Sequence, residues 1–203
     1  MPFSEEIPTL TPVGITRWKG EEWITQRALD TANFTVEKDA LTLCGNGLDL
    51  CDRKMQGLLL VRQQERAFTA ETALEIPAAG TAGLTCYYDE HSYLKFGIGP
   101  EGLLLEEYAG YEVVSRQTAP LPASTSHVRL RVTAADGQRH FAIQDRTDWH
   151  TLWSIPEPRY LTSEGLQCGK RFTGAMVGLY VHGASAVRFA DWVAVWPHPE
   201  EKR

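Results

Sequence analysis

The sequence predicts an all-β chain folded as a two-sheet antiparallel sandwich, or jelly roll. Three observations carry that expectation. Short apolar runs recur at strand length, Gly, Pro and Asp turn signals separate them, and helical periodicity is weak throughout. At 203 residues the chain suits one large β-domain with a core of its own. We therefore expect a single domain over residues 1–203, with an irregular Pro-rich lead-in at 1–14 and a fraying charged tail at 197–203.

The strands are read in order. Leu58–Gln64 opens on the apolar run Leu58–Val61, and Ala67–Ile76 follows it. In the second run Phe68, Ala70, Thr72, Leu74 and Ile76 alternate with Thr69, Glu71, Ala73 and Glu75, the period of two expected of a half-buried strand. Ala82–Asp89 and Ser92–Ile98 flank Glu90-His91 and read as a hairpin, and Pro100-Glu101-Gly102 turns the chain into Leu103–Tyr108. His127–Thr133 and Gln138–Gln144 flank Asp136-Gly137, the clearest hairpin signal. Phe172–Val181 and Ala186–Trp196 supply two closing strands. In the last, Val187, Phe189, Val193 and Val195 are expected to share a face with Asp191. The best helical stretch, Glu21–Leu29, is too short to anchor a layer.

Charge and cysteine usage narrow the function. The net charge of −6, with no Lys/Arg run, argues against a nucleic-acid partner. No apolar stretch approaches the ~20 residues of a membrane span, and the N-terminus does not read as a signal peptide. A cytoplasmic protein with reduced thiols is the expectation. Cys44, Cys51, Cys86 and Cys168 form no Cys-x-x-Cys pair; Cys86 reads as a buried thiol, while a Cys44–Cys51 bridge stays open.

An ordered series of segments resembles the C-terminal concanavalin A-like domain of family 43 β-xylosidases. It runs from Trp23 and Arg27 through Leu58–Gln64 with its Arg62-Gln63, then Phe68-Thr69-Ala70-Glu71-Thr72 and Ala82–Tyr88. It ends with Phe172–Leu179 and Phe189-Ala190-Asp191, so that it covers residues 20–196. The resemblance implies a sandwich of the concanavalin A-like lectin/glucanase type. In such enzymes it is attached to a five-bladed propeller that supplies the catalytic carboxylates. The stretch before residue 20 is shorter than one blade of roughly 40 residues, so we expect either a stand-alone module or a piece of a longer enzyme. Two stretches depart from the family pattern: Asp145–Trp149, and Val181–Ser185, which lacks an acidic residue.

Candidate chemistry follows. A glycosidase needs two carboxyl groups ~5–9.5 Å apart. Glu71 and Glu75 on one strand face lie about 13 Å apart, too far to form that pair. The Glu-x-Asp-x-x-Glu pattern of sandwich glucanases is absent, as are a Gly-x-Ser-x-Gly elbow and a P-loop. The histidines are scattered, and no metal site or cofactor is expected; Asp145, Asp148 and Asp191 are minor candidates for a structural calcium. Sugar binding calls for amphipathic rings beside polar groups. Tyr87 should point off the core, with Thr85, Tyr93 and Lys95 on neighbouring rungs, Arg62 and Glu71 as hydrogen-bonding groups, and Trp149 near a loop. Against this, Trp149, Trp153 and Trp192 can simply fill the core.

The reading is a non-catalytic, carbohydrate-related binding or accessory module whose partner is an oligosaccharide or a glycosidase. The alternatives are a sandwich-fold glycosidase or lyase using carboxylates such as Glu71, and a structural or dimerisation module forming a homo-oligomer.

Overall fold

A computed structural model describes residues 16–25, 31–121, 126–166, 168 and 174–197. The expectations for the lead-in, Arg27, Phe172-Thr173 and the tail beyond Pro197 lie outside the described residues. Within them the chain forms fifteen strands. They are β1 Thr16–Trp18, β2 Glu21–Trp23, β3 Phe34–Val36, β4 Ala40–Cys44, β5 Leu58–Arg62, β6 Phe68–Glu75, β7 Thr81–Asp89 and β8 Ser92–Gly99. They continue with β9 Gly102–Ala109, β10 Glu112–Ala119, β11 His127–Ala135, β12 Gln138–Asp145, β13 Asp148–Pro156, β14 Met176–His182 and β15 Ala186–Val195. Two short 3-10 turns are the only helical elements described, and the start of the weak helical stretch, Glu21–Trp23, is strand.

The strands form two principal antiparallel sheets. One has six strands in the order β10-β9-β8-β7-β14-β5, the other seven in the order β13-β12-β11-β6-β15-β4-β3. Their facing sides enclose one core in which Leu41, Leu74, Leu84, Phe96, Leu130, Phe141, Val177 and Phe189 are buried. The alternation of β6 is as the sequence requires, with Phe68, Ala70, Thr72 and Leu74 buried. The Asp136-Gly137 hairpin forms with φ of 51° and 72°, the left-handed pair of a two-residue turn. Trp192 fills the core and Trp153 packs against it, edge-on to Phe96.

The last strand departs from expectation. The register of β15 against β6 shifts between Ala190 and Val193, and Asp191 at φ 52° sits inside that bulge. The extra residue reverses the facing order. Val187, Phe189 and Trp192 turn inward, while Val193 and Val195 become exposed. Beyond Asp145, β12 and β13 pair through to Asp148, so Trp149 lies at the start of β13, beside the Arg146-Thr147 turn. Asp191 is separated from Asp145 and Asp148 by β11 and β6, and the calcium candidates do not converge. No described group of three or more His, Cys, Asp or Glu could hold a metal. Cys44 and Cys51 are unbridged, and Cys86 is buried.

The six-stranded sheet is buried on both sides over β5, β14, β7 and β8. Residues 45–57 fold back across its outer face, where Leu50 and Met55 cover Leu58, Leu60, Tyr87, Tyr93, Met176 and Tyr180 in a second, smaller core. The cover is tied down at both ends, by Gly45 N–H to the Ser185 carbonyl (2.9 Å) and by Val181 N–H to the Gly57 carbonyl (2.8 Å). The Tyr180 ring crosses this face over Gly97. A β-carbon at Gly97 would lie 2.3 Å from the Tyr180 hydroxyl and 2.4 Å from the Ala82 carbonyl oxygen. The second contact is backbone and cannot swing aside. Gly97→Ala is therefore expected to cost about 1–3 kcal/mol through overpacking. Urea unfolding followed by fluorescence measures it, and an unchanged midpoint would contradict this packing.

Candidate functional site

The residues proposed from sequence as one sugar-binding surface lie in three places. Arg62 ends β5 on the exposed surface, bordering a depression shared with Glu21, Glu22 and Gln64. Glu71 and Trp149 are on the outer face of the seven-stranded sheet and are joined through Arg131, a residue not singled out from sequence. The Arg131 Nη2 is 2.6 Å from Glu71 Oε1, and its guanidinium lies 3.7 Å from the centre of the Trp149 ring. One face of that indole is thus already covered.

Thr85, Tyr87, Tyr93 and Lys95 are on the outer face of the other sheet. Tyr87 points away from the principal core, as its alternation with Leu84, Cys86 and Tyr88 demands. Its face is not solvent-exposed, however. Thr85, Tyr87, Tyr93 and Lys95 are all buried, the first with its hydroxyl donating to the Leu94 carbonyl (2.9 Å). The covering segment excludes water from them. Tyr87, Tyr93 and Tyr108 stack as near-parallel rings, with centroids 6.1 and 4.7 Å apart. Neither Tyr87 nor Tyr93 can serve as an open platform, which corrects the expected exposed aromatic surface.

Lys95 leads to an open site. The adjacent strands place Lys95, Glu106 and Arg116 side by side across β8, β9 and β10. Lys95 Nζ lies 2.7 Å from Glu106 Oε1 and 2.7 Å from Asp49 Oδ2, and Arg116 Nε donates to Glu106 Oε2 at 2.7 Å. Asp49 comes from the covering segment, so this row of alternating charges clasps the cover to the sheet. His182 Nδ1 stands 3.7 Å from the same Asp49 oxygen. Beside the row the face is uncovered, leaving a groove of about 390 Å³. Lys95, Glu101, Glu106, Arg116, Thr118 and His182 supply its polar lining, beside Gly99, Gly102 and Leu104. Thr81 adds a hydroxyl that is buried and without a hydrogen-bond partner.

Lys95 and Glu106 are nearly solvent-free, so their pairing is essential once both are buried. Removing only the ammonium would leave Asp49 and the buried Oε1 of Glu106 without their shared cation, with Arg116 alone holding Glu106. Lys95→Met is expected to lose about 3–5 kcal/mol, and Lys95→Met/Glu106→Gln to recover part of it. Chemical denaturation of both variants checks this; equal losses would show that charge is not the cause.

Burial also raises the hydroxyls of Tyr93, Tyr160 and Tyr180 above the ordinary tyrosine range, with Asp49 adding to the rise at Tyr93 and Tyr180 and Glu107 at Tyr160. A raised folded-state value favours the folded chain fully below the unfolded value of about 10, and that contribution declines as pH rises past it. Phenolate absorbance from these three residues is expected only as structure is lost. An alkaline titration followed together by ultraviolet absorbance and circular dichroism tests this, and early ionisation in a folded chain would refute it.

Comparison with known proteins agrees with the two-sheet geometry. The family described as the β-xylosidase C-terminal concanavalin A-like domain matches residues 19–193. A β-xylosidase of Bacillus subtilis (strain 168) is 27% identical over 169 residues, which cover 75% of this chain and 32% of the relative. The chain thus spans about a third of that relative's length. Among solved structures, the xyloglucan PUL GH43B protein of Bacteroides ovatus superposes with a TM-score of 0.73 at 20% identity, covering 89% of this chain and 38% of the other. The xylan β-1,4-xylosidase of Bacillus halodurans C-125 gives 0.72 at 20% identity, covering 85% and 36%. A functionally unknown protein from Saccharomyces cerevisiae gives 0.58 at 17% identity, covering 87% of this chain and 96% of the other. By its match over nearly its whole described length, this chain belongs to the family of β-xylosidase C-terminal concanavalin A-like domains.

Proposed function

We propose that the chain acts as a non-catalytic module of the β-xylosidase type, holding a neutral oligosaccharide in the groove beside Lys95. The observation that carries the non-catalytic part is the position of Lys95. Asp49 and Glu106 approach the spacing of a hydrolytic pair, since each lies 2.7 Å from the same ammonium nitrogen. A hydrolytic pair must flank the glycosidic bond it cleaves. Here the ammonium occupies the space between the carboxylates, and both oxygens of Glu106 are engaged by cations. Glu71 is likewise held by Arg131, and Glu157 by Arg139.

The groove suits hydroxyl-rich ligands. Arg116 has an exposed guanidinium, His182 an accessible imidazole and Thr81 an unsatisfied hydroxyl, while Gly99 and Gly102 in the lining permit close approach. In the groove lining the positive charges of Lys95 and Arg116 are matched by Glu101 and Glu106, with Asp49 against Lys95 in addition, which favours a neutral sugar over an acidic one. The relatives named for xylose release make xylo-oligosaccharides the first ligands to test. Saturable binding is expected by calorimetry, weakened roughly tenfold in Arg116→Ala through loss of one charged donor. Aryl-xyloside hydrolysis by the chain alone is expected to be absent. A flat titration with xylo- and arabino-oligosaccharides would reject the ligand, and nitrophenol release that Glu71→Gln abolishes would reject the non-catalytic reading.

A further inference from the structure

A second cavity, of about 460 Å³, opens at one end of the sandwich, where the turn between β5 and β6, the Asp136-Gly137 hairpin and the segment after β13 meet. Arg139, Arg66 and Arg159 line it, with Asp136 and Glu157 as its acidic groups. One positive charge is in excess there, on a chain whose net charge is −6. Such local reversal concentrates anions.

The interior wall is unusual. Arg139 is 1% exposed and projects between the sheets, where a charged group is rare without a partner. Glu157 supplies one, accepting from Nε at 3.0 Å and from Nη2 at 2.6 Å. Burial works against the charge of Arg139, but the Glu157 carboxylate offsets it and the guanidinium stays charged. Its Nη1 still has no hydrogen-bond partner. Gln63, also lining the cavity, has a buried Oε1 acceptor without a partner. At the mouth, Arg66 and Arg159 are exposed and make no ion pair with a described residue.

Unsatisfied buried polar atoms in a native fold mark a place for water or ligand. Here a donor and an acceptor accompany two guanidiniums not engaged in ion pairs, so the complementary molecule carries a carboxylate together with hydroxyls. We propose that this cavity is a binding site for a sugar acid, the carboxylate received by Arg66 and Arg159 and a hydroxyl by Gln63. The site is separate from the groove beside Lys95 and does not depend on it.

The test is calorimetric titration of the whole chain with D-glucuronate at low ionic strength. Binding is expected to be at least about tenfold tighter than for D-glucose, which lacks the carboxylate, and than for acetate, which lacks the hydroxyls. Arg66→Gln/Arg159→Gln, at two exposed positions, should weaken glucuronate by roughly tenfold with the melting temperature unchanged. Arg116→Ala should leave glucuronate binding as it was. The assignment is overturned if glucose or acetate binds as tightly as glucuronate, if the double variant binds normally, or if Arg116→Ala weakens glucuronate, which would move the ligand to the groove.

Discussion

Lys95 is held between Asp49 and Glu106, and this contact joins parts of the chain that are far apart in sequence. Glu106 is its neighbour across the sheet, whereas Asp49 belongs to the segment that covers the sheet. The contact therefore sets where the cover ends and the open groove begins. Buried charge tolerates little error: the desolvation cost of each group is offset only while every partner is present. This argues that the position of the cover, and with it the shape of the groove, is tightly determined.

The same constraint shapes what this face can do. Its aromatic rings lie beneath Leu50 and Met55, so they contribute packing and a stack of tyrosines rather than a ligand platform. Asp49 and Glu106 are committed to cations. What stays accessible is a short polar rim beside Leu104, Gly99 and Gly102. The opposite sheet also has a paired array, Glu71–Arg131–Trp149, on its outer side. Both arrays pair their carboxylates with cations, whereas the sandwich end near Arg139 carries one positive charge in excess.

Much of the fold was legible because it rests on local signals. The alternation of Phe68–Leu74 shows one wet and one dry face, and Asp136-Gly137 states its own turn geometry. The bulge at Asp191 was not legible, since the residue pattern either side of it reads as one continuous strand. Only pairing with both β4 and β6 reveals the extra residue. β10 escaped notice because an edge strand with exposed Val113 and Val114 does not display an inward face.

The site was less legible than the fold, for a physical reason. Sequence alone determined an all-β sandwich, its principal hairpins, the family likeness and the direction in which Tyr87 leaves the core. Tertiary structure decided that this direction leads under a second layer, that Lys95 meets Asp49 and Glu106, and that Glu71 meets Arg131 and Trp149. Alternation reports which side of a strand a residue takes, a consequence of neighbouring backbone geometry. It carries no record of a distant segment folding over that side, because such a contact depends on closing the intervening chain in three dimensions.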